Sequence, residues 1–233
     1  MNYKVKNIII IPYRDRETHL KYFLEKVSAF LLENVEESSI IIVEQSINKE
    51  FNRGKLLNIG FKEYLDIASY FITHDIDKIP NNNVIKQYNA EKDIYCLWKP
   101  HDQSLGGVTK FSNNSIKLLN GFPNYIYGWG IEDRALFYRA KIKNIPINYL
   151  NNNKEFKEQQ HKSCARNYNN EKEKISNIWS KKFIDVIDNI KKQELIDNSG
   201  IMNLKYKILK DEIIQDRVRK ILVDIWYTSS FIV

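Results

Sequence analysis

Apolar residues run almost unbroken through Lys6–Pro12, as expected for a strand covered on both faces of a sheet. The period then changes. Leu20, Phe23, Leu24, Val27 and Leu31 recur at helical spacing with Thr18 near the start, which predicts a helix over 17–32. Ser39–Glu44 (SIIIVE) reads as a second buried strand. Phe51–Leu65 reads as a second helix, with Leu56, Ile59 and the Phe61–Tyr64 pair toward the core. Ser69–Thr73 is a third strand, followed at once by His74-Asp75-Ile76-Asp77. This β-α-β-α-β alternation implies an α/β fold with a mostly parallel sheet and helices on its faces. In such sheets ligands bind beyond the carboxyl ends of the strands, where both Pro12–Arg16 and Asp75–Asp77 fall. Beyond residue 93 the pattern loosens. Strands are expected at Ile94–Trp98 and Gly107–Phe111, and short helices at Asn113–Asn120 and Glu132–Ala140, the last two separated by the aromatic, glycine-rich loop GFPNYIYGWG. Residues 171–196 have an amphipathic helical pattern, and a strand pair is expected between Gly200 and Ile225.

Composition narrows the classes. At 233 residues, with 43% hydrophobic and 12% aromatic positions, the chain can bury a sizeable core and is not globally disordered. A single domain over 1–233 is expected, with a nucleotide-binding half at 1–100 and an acceptor, lid and metal half at 101–233. No window reaches the roughly 18–20 apolar residues of a membrane span. The apolar run near the N-terminus is broken by Pro12, Arg14, Asp15 and Arg16, so it reads as a strand rather than a leader, and a cytoplasmic protein is the simplest expectation. Cys96 and Cys164 form no metal or disulfide pattern and are expected as reduced thiols. The net charge of +7 is spread along the chain. It suits anionic substrates such as nucleotide sugars, or peripheral contact with an anionic membrane surface, and lacks the dense basic stripe that nucleic acid demands.

Asp75-Ile76-Asp77 can place two carboxylates on one cleft to hold a divalent cation against a diphosphate, or it can be a solvated acidic turn. Glu132-Asp133 opens a helix, where acidic residues suit the helix dipole and where a general base could also sit. Trp129 between Gly128 and Gly130 has the hinge freedom of a lid and the apolar bulk of a core residue. Glu158 and His161, three apart in a polar stretch, could share a helical face and join Asp77 in a mixed metal site, although a lone histidine there is more often exposed.

Taken together, these motifs resemble the beta-1,4-galactosyltransferase family. The matching segments are IIIPYRDRETHL (9–20), FNRGKLLNIGF (51–61), the Asp75–Asp77 triplet, GGVTKFSNNSIKLLNGFPNYIYGWGIED (106–133), His161 and the tail LKYKILKDEIIQDRVRKILVDI, so that the likeness spans about 6–225. The resemblance implies a GT-A-type fold with a C-terminal helix and strand pair. It also implies inverting, metal-dependent transfer of galactose or N-acetylgalactosamine from a UDP-sugar to a glycan or glycolipid acceptor. Donor contacts are then implied at Pro12, Arg14, Arg16, Phe51, Arg53, Asp75 and Gly107, a lid at Trp129, metal ligation by Asp77 and His161, and a catalytic base at Asp133 beside Glu132.

The chain departs from the family pattern at several points. Glu158 replaces a methionine, which predicts a harder site that accepts manganese and also magnesium. Arg134 replaces a third acidic residue. Ser104 stands where a tyrosine precedes the donor pocket, which predicts room for a 2-acetamido group unless a neighbour such as Trp98 refills the space. The family's N-acetyl-pocket residues have no clear match in 162–180, and the animal members' anchor and stem are not seen. The expectation is therefore a bacterial or viral version that builds surface glycans. A nucleotidyltransferase, which normally carries a glycine-rich loop after the first strand, and a non-catalytic sugar- or nucleotide-binding module are the alternatives.

Overall fold

A computed structural model describes residues 5–47, 49–128, 130–150, 153–160, 188 and 198–226. In these residues an eight-stranded sheet has the order β7-β5-β6-β3-β1-β2-β10-β9. Its strands are β1 (Asn7–Tyr13), β2 (Ser38–Gln45), β3 (Tyr70–His74), β5 (Ile94–Trp98), β6 (Val108–Ser112), β7 (Ile147–Tyr149), β9 (Tyr206–Gln215) and β10 (Val218–Ile225). A two-stranded ribbon joins β4 (Lys78–Pro80) to β8 (Phe156–Glu158). β1 lies parallel to both β2 and β3, and β2 is parallel to β10, whereas β6 and β9 run against the rest. The mostly parallel sheet is thus present, and the C-terminal strand pair completes its far edge as a hairpin.

All seven residues of β1 are buried, because both faces of the sheet are covered. Alternation along the strand sorts them. Ile8 and Ile10 face one core with Leu56, Ile59 and Phe61, while Ile9, Ile11 and Tyr13 face the other with Phe23, Val27 and Leu31. The first core is made by α3 (Arg53–Tyr64), which presses so closely on β1 that a side chain at Gly60 would overlap Ile10 Cγ2. The second is made by α1 (Glu17–Tyr22) and α2 (Ser28–Asn34), joined through a π-helical turn at Phe23–Val27. The single helix expected over 17–32 is therefore one rod with a widened turn. That turn lets Phe23 and Val27 both bury, at the cost of regular hydrogen bonding.

Two shorter helices, α4 (Asn113–Leu119) and α5 (Glu132–Ile142), flank the loop that carries the glycine-aromatic motif. Buried Asn58 of α3 staples that loop, donating to the Phe122 carbonyl at 2.8 Å and to Asn124 Oδ1 at 3.0 Å while accepting from the Phe122 N–H at 2.8 Å. Buried Arg139 of α5 donates to the Gly121 and Ser199 carbonyls, both at 2.6 Å, tying the returning C-terminal chain to the same loop. The amphipathic stretch 171–196 falls, but for Asp188, outside the described residues. Among those described, no helix is long and apolar enough to cross a membrane.

Candidate active site

The carboxyl ends of β1 and β3, the start of β6 and the N-termini of α3 and α5 meet at one edge of the sheet. Asn52 caps α3, its side chain accepting from the Lys55 N–H at 2.9 Å, so Arg53 projects from a fixed first turn. The Arg53 guanidinium donates to Asp75 Oδ1 through Nε at 3.0 Å and Nη2 at 2.7 Å, and through Nη1 to Glu132 Oε1 at 3.4 Å. Burial alone would lower the proton affinity of this guanidinium, but Asp75 and Glu132 outweigh it and keep the group charged. Burial pushes Glu132 up to about 7, Asp133 adds to the rise and Arg53 opposes it. Glu132 Oε2 is buried with no hydrogen-bond partner.

Asp133 follows on the same helical turn. Its Oδ2 accepts from the Ser104 hydroxyl at 2.7 Å and its Oδ1 from the Arg134 N–H at 2.8 Å. The turn into α5 holds Gly128 at φ 77°, Gly130 at φ 85° and Ile131 at φ 79°. A β-branched residue in the left-handed region costs on the order of 1–3 kcal/mol. The surrounding packing, in which Ile131 is fully buried, must enforce it. Gly128 also donates its N–H to the Phe51 carbonyl at 2.8 Å, which ties the glycine-aromatic loop to the start of α3.

On the other side, Asp77 is only 4% exposed, with Arg16 Nη1 at 3.6 Å from its Oδ2 and Lys78 Nζ at 3.9 Å from its Oδ1. Lys78 is itself buried, lying 3.8 Å from the centroid of the Trp98 ring and 2.7 Å from Glu158 Oε1. One expectation about Glu158 is corrected here. It lies on β8 opposite Lys78 rather than on a helix, and its half-exposed carboxylate makes a cross-strand ion pair. Among the described residues, no three histidine, cysteine or acidic side chains gather to hold a metal.

Ser104 is fully buried and its hydroxyl donates to Asp133. The space beside Gly107 (φ 67°) is filled by Trp98, whose ring a Cβ there would overlap. The Gly107 carbonyl accepts from the Asp75 N–H at 3.1 Å, joining the start of β6 to the acidic triplet. Arg14 stacks on Phe51 with its guanidinium 5.0 Å from the ring centroid and donates to the Lys49 carbonyl at 2.6 Å. Pro12 is buried within β1, one residue short of the strand's end. Trp129, His161 and Cys164 lie outside the described residues, whereas Cys96 is a buried free thiol. Lys78 and the Ser104–Asp133 bond were not foreseen. A lysine directly after the acidic triplet was a visible signal for the first, but no local pattern announces the second.

This edge, with its acidic strand end, cationic surround and acidic helix start, sits on an α/β sheet of the GT-A glycosyltransferase type. The crystal structure of the catalytic domain of Drosophila beta-1,4-galactosyltransferase 7 with xylobiose superposes with a TM-score of 0.71 at 22% identity, covering 96% of this chain and 95% of that one. A point mutant of the same enzyme, in complex with manganese, UDP-Gal and xylobiose, matches equally well at TM-score 0.71. Residues 2–90 match the N-terminal region of glycosyl transferase group 7, and residues 95–162 match the N-terminal domain of galactosyltransferase. Bovine beta-1,4-galactosyltransferase 1 is 35% identical over 156 residues, a segment covering 63% of this chain and 39% of the bovine protein. Drosophila beta-1,4-galactosyltransferase 7 is 26% identical over 229 residues, or 94% of this chain and 69% of that protein. The chain belongs to the beta-1,4-galactosyltransferase family.

Proposed function

We propose that the chain transfers galactose or N-acetylgalactosamine from a UDP-sugar to a hydroxyl of a glycan acceptor, with inversion to a β linkage and with a divalent cation. The observation that carries this reading is the pairing of an acidic triplet at a strand end with a buried carboxylate pair at the start of α5, linked through Arg53. Family membership supports the sugar chemistry.

The residues divide the work as follows. Arg16, Arg53 and the stacked Arg14–Phe51 pair offer cationic and aromatic surface for a nucleotide diphosphate. Asp77 is a buried oxygen donor suited to a hard divalent cation, and the resemblance adds His161 as its nitrogen partner. Held by these residues, manganese would supply a Lewis acid that offsets the charge on the departing UDP. Asp133 takes the proton of the attacking acceptor hydroxyl, with the acceptor oxygen bonding to the anomeric carbon as the bond to the UDP oxygen breaks. Glu132 pairs with Arg53 beside this base, and the resemblance implies Trp129 as a lid over the sugar.

The test is a screen of UDP-sugars against simple sugar acceptors with manganese, scoring both hydrolysis and transfer. Transfer that Asp133→Asn reduces by about 10²–10⁴-fold, with UDP binding retained, is the expected result. An α-linked product, or no transfer and no hydrolysis with any UDP-sugar, would overturn the reading.

A further inference from the structure

Ser104, Leu105 and Gly106 wrap one residue of α5. The Ser104 Oγ accepts from the Gly106 N–H at 3.2 Å, which leaves its own proton to be donated to Asp133 Oδ2 at 2.7 Å. The Leu105 N–H donates to the Asp133 carbonyl at 3.2 Å. Gly106 completes the cradle, since a Cβ there would lie 2.8 Å from Oδ2. A buried serine joined to a buried carboxylate 29 residues away fixes a rotamer more than it stabilises the fold.

We infer that Ser104 is a positioning residue for the catalytic base, its hydroxyl holding the Asp133 carboxylate in the orientation that accepts the acceptor's proton. The inference rests on the reading of Asp133 as base. It assigns position 104 to the proton-transfer half of the site, not to recognition of the donor's C2 substituent.

The other groups facing Asp133 are few. Glu132 and Arg134 adjoin it on α5, Arg53 reaches it from α3, and Cys96 approaches from β5. Burial raises the Cys96 thiol to about 11, so it stays neutral through the working range.

The experiment compares wild type, Ser104→Ala, Ser104→Thr and Asp133→Asn for transfer, for UDP affinity, for melting temperature and for kcat and KM toward the acceptor. Removing one hydrogen bond to a charged group is expected to lower acceptor kcat/KM by roughly tenfold in Ser104→Ala. The loss should fall on kcat with acceptor KM little changed, UDP affinity and melting temperature should stay near wild type, and Ser104→Thr should restore most of the loss. A kcat/KM unchanged in Ser104→Ala, with Asp133→Asn inactive, would overturn the positioning role while leaving the proposed function standing. A drop in melting temperature with kcat unchanged would mark a merely structural serine and overturn it too. Wild type inactive with every UDP-sugar would overturn both readings.

Discussion

Lys78 changes what the acidic triplet can do. Its ammonium stands between Asp77 at 3.9 Å and Glu158 at 2.7 Å, nearly removed from solvent over the Trp98 ring. Without Glu158 its charge would be left unbalanced beside Asp77, the carboxylate proposed to hold the metal, where attraction at such distances is strong in a weakly screened setting. Glu158→Gln should therefore weaken manganese binding severalfold, and Lys78→Met added to it should restore the affinity. Titration calorimetry of the double-mutant cycle decides the point. If Glu158 ligates the ion directly, the double variant stays as weak as the single one.

The same scale shows what could be read in the chain beforehand. Asp75, Asp77, Arg53 and Glu132-Asp133 were legible, since each sits where a strand ends or a helix begins. Ser104 was legible only as a departure from the family, because its partner lies 29 residues away and no periodicity reports it.

Glu132 adds a pH dependence. Its folded-state value, raised to about 7 by burial first and Asp133 second, exceeds the ordinary 4.5. The folded chain therefore binds more protons than the unfolded one between these values, and this group's contribution to stability falls as pH rises from about 4.5 to about 7. Above that window the cost is constant, on the order of 1–3 kcal/mol. In Glu132→Gln that pH slope should vanish, so its melting temperature should gain on wild type across the window. A constant difference between the two at pH 5 and pH 7.5 would show that Glu132 does not titrate there.

Among the elements, those with two or more periods of pattern matched expectation closely. β1, β2, β3 and β5 lie within a residue or two of the expected bounds, as does α3 in its body. The strands β4, β7 and β8 hold three residues each, less than two strand periods, so nothing in their local sequence separates them from loop. The π-helical turn in the first helix keeps the apolar stripe continuous and is invisible for that reason.

Asn58 holds one element to another. Its side chain meets both the N–H and C=O of Phe122 and the side chain of Asn124, all buried. Asn58→Ala strands these groups, at about 1–3 kcal/mol for each left unsatisfied. The expected loss is about 2–4 kcal/mol, or roughly 4–16 °C in melting temperature for a chain of this size. Because the stapled loop runs on into Gly128 and α5, transfer activity should fall further than UDP affinity. A melting temperature within about 2 °C of wild type would mean that water replaces the staple without cost.

At the scale of the whole molecule, the site has no single owner. Arg16 follows β1, Arg53 opens α3, Asp75 and Asp77 follow β3, Ser104 precedes β6, and Glu132 and Asp133 begin α5. A ligand touching this set binds a surface that exists only when the sheet is assembled, so binding should raise global stability by mass action. At 100 times its dissociation constant a ligand contributes about 2.7 kcal/mol. For a chain of this length that is a shift of about 5–10 °C. If a divalent cation bridges Asp77 and the diphosphate, UDP with manganese should reach this shift and UDP with a chelator should fall well short of it. Asp77→Asn should lose the manganese increment while keeping the smaller effect of UDP alone, since Arg14, Phe51 and Arg53 remain in place. A thermal scan of both proteins with and without metal measures this directly. An equal shift with manganese and with chelator would show that Arg16, Arg53 and Lys78 neutralise the diphosphate by themselves, and that the cation has no part in donor binding.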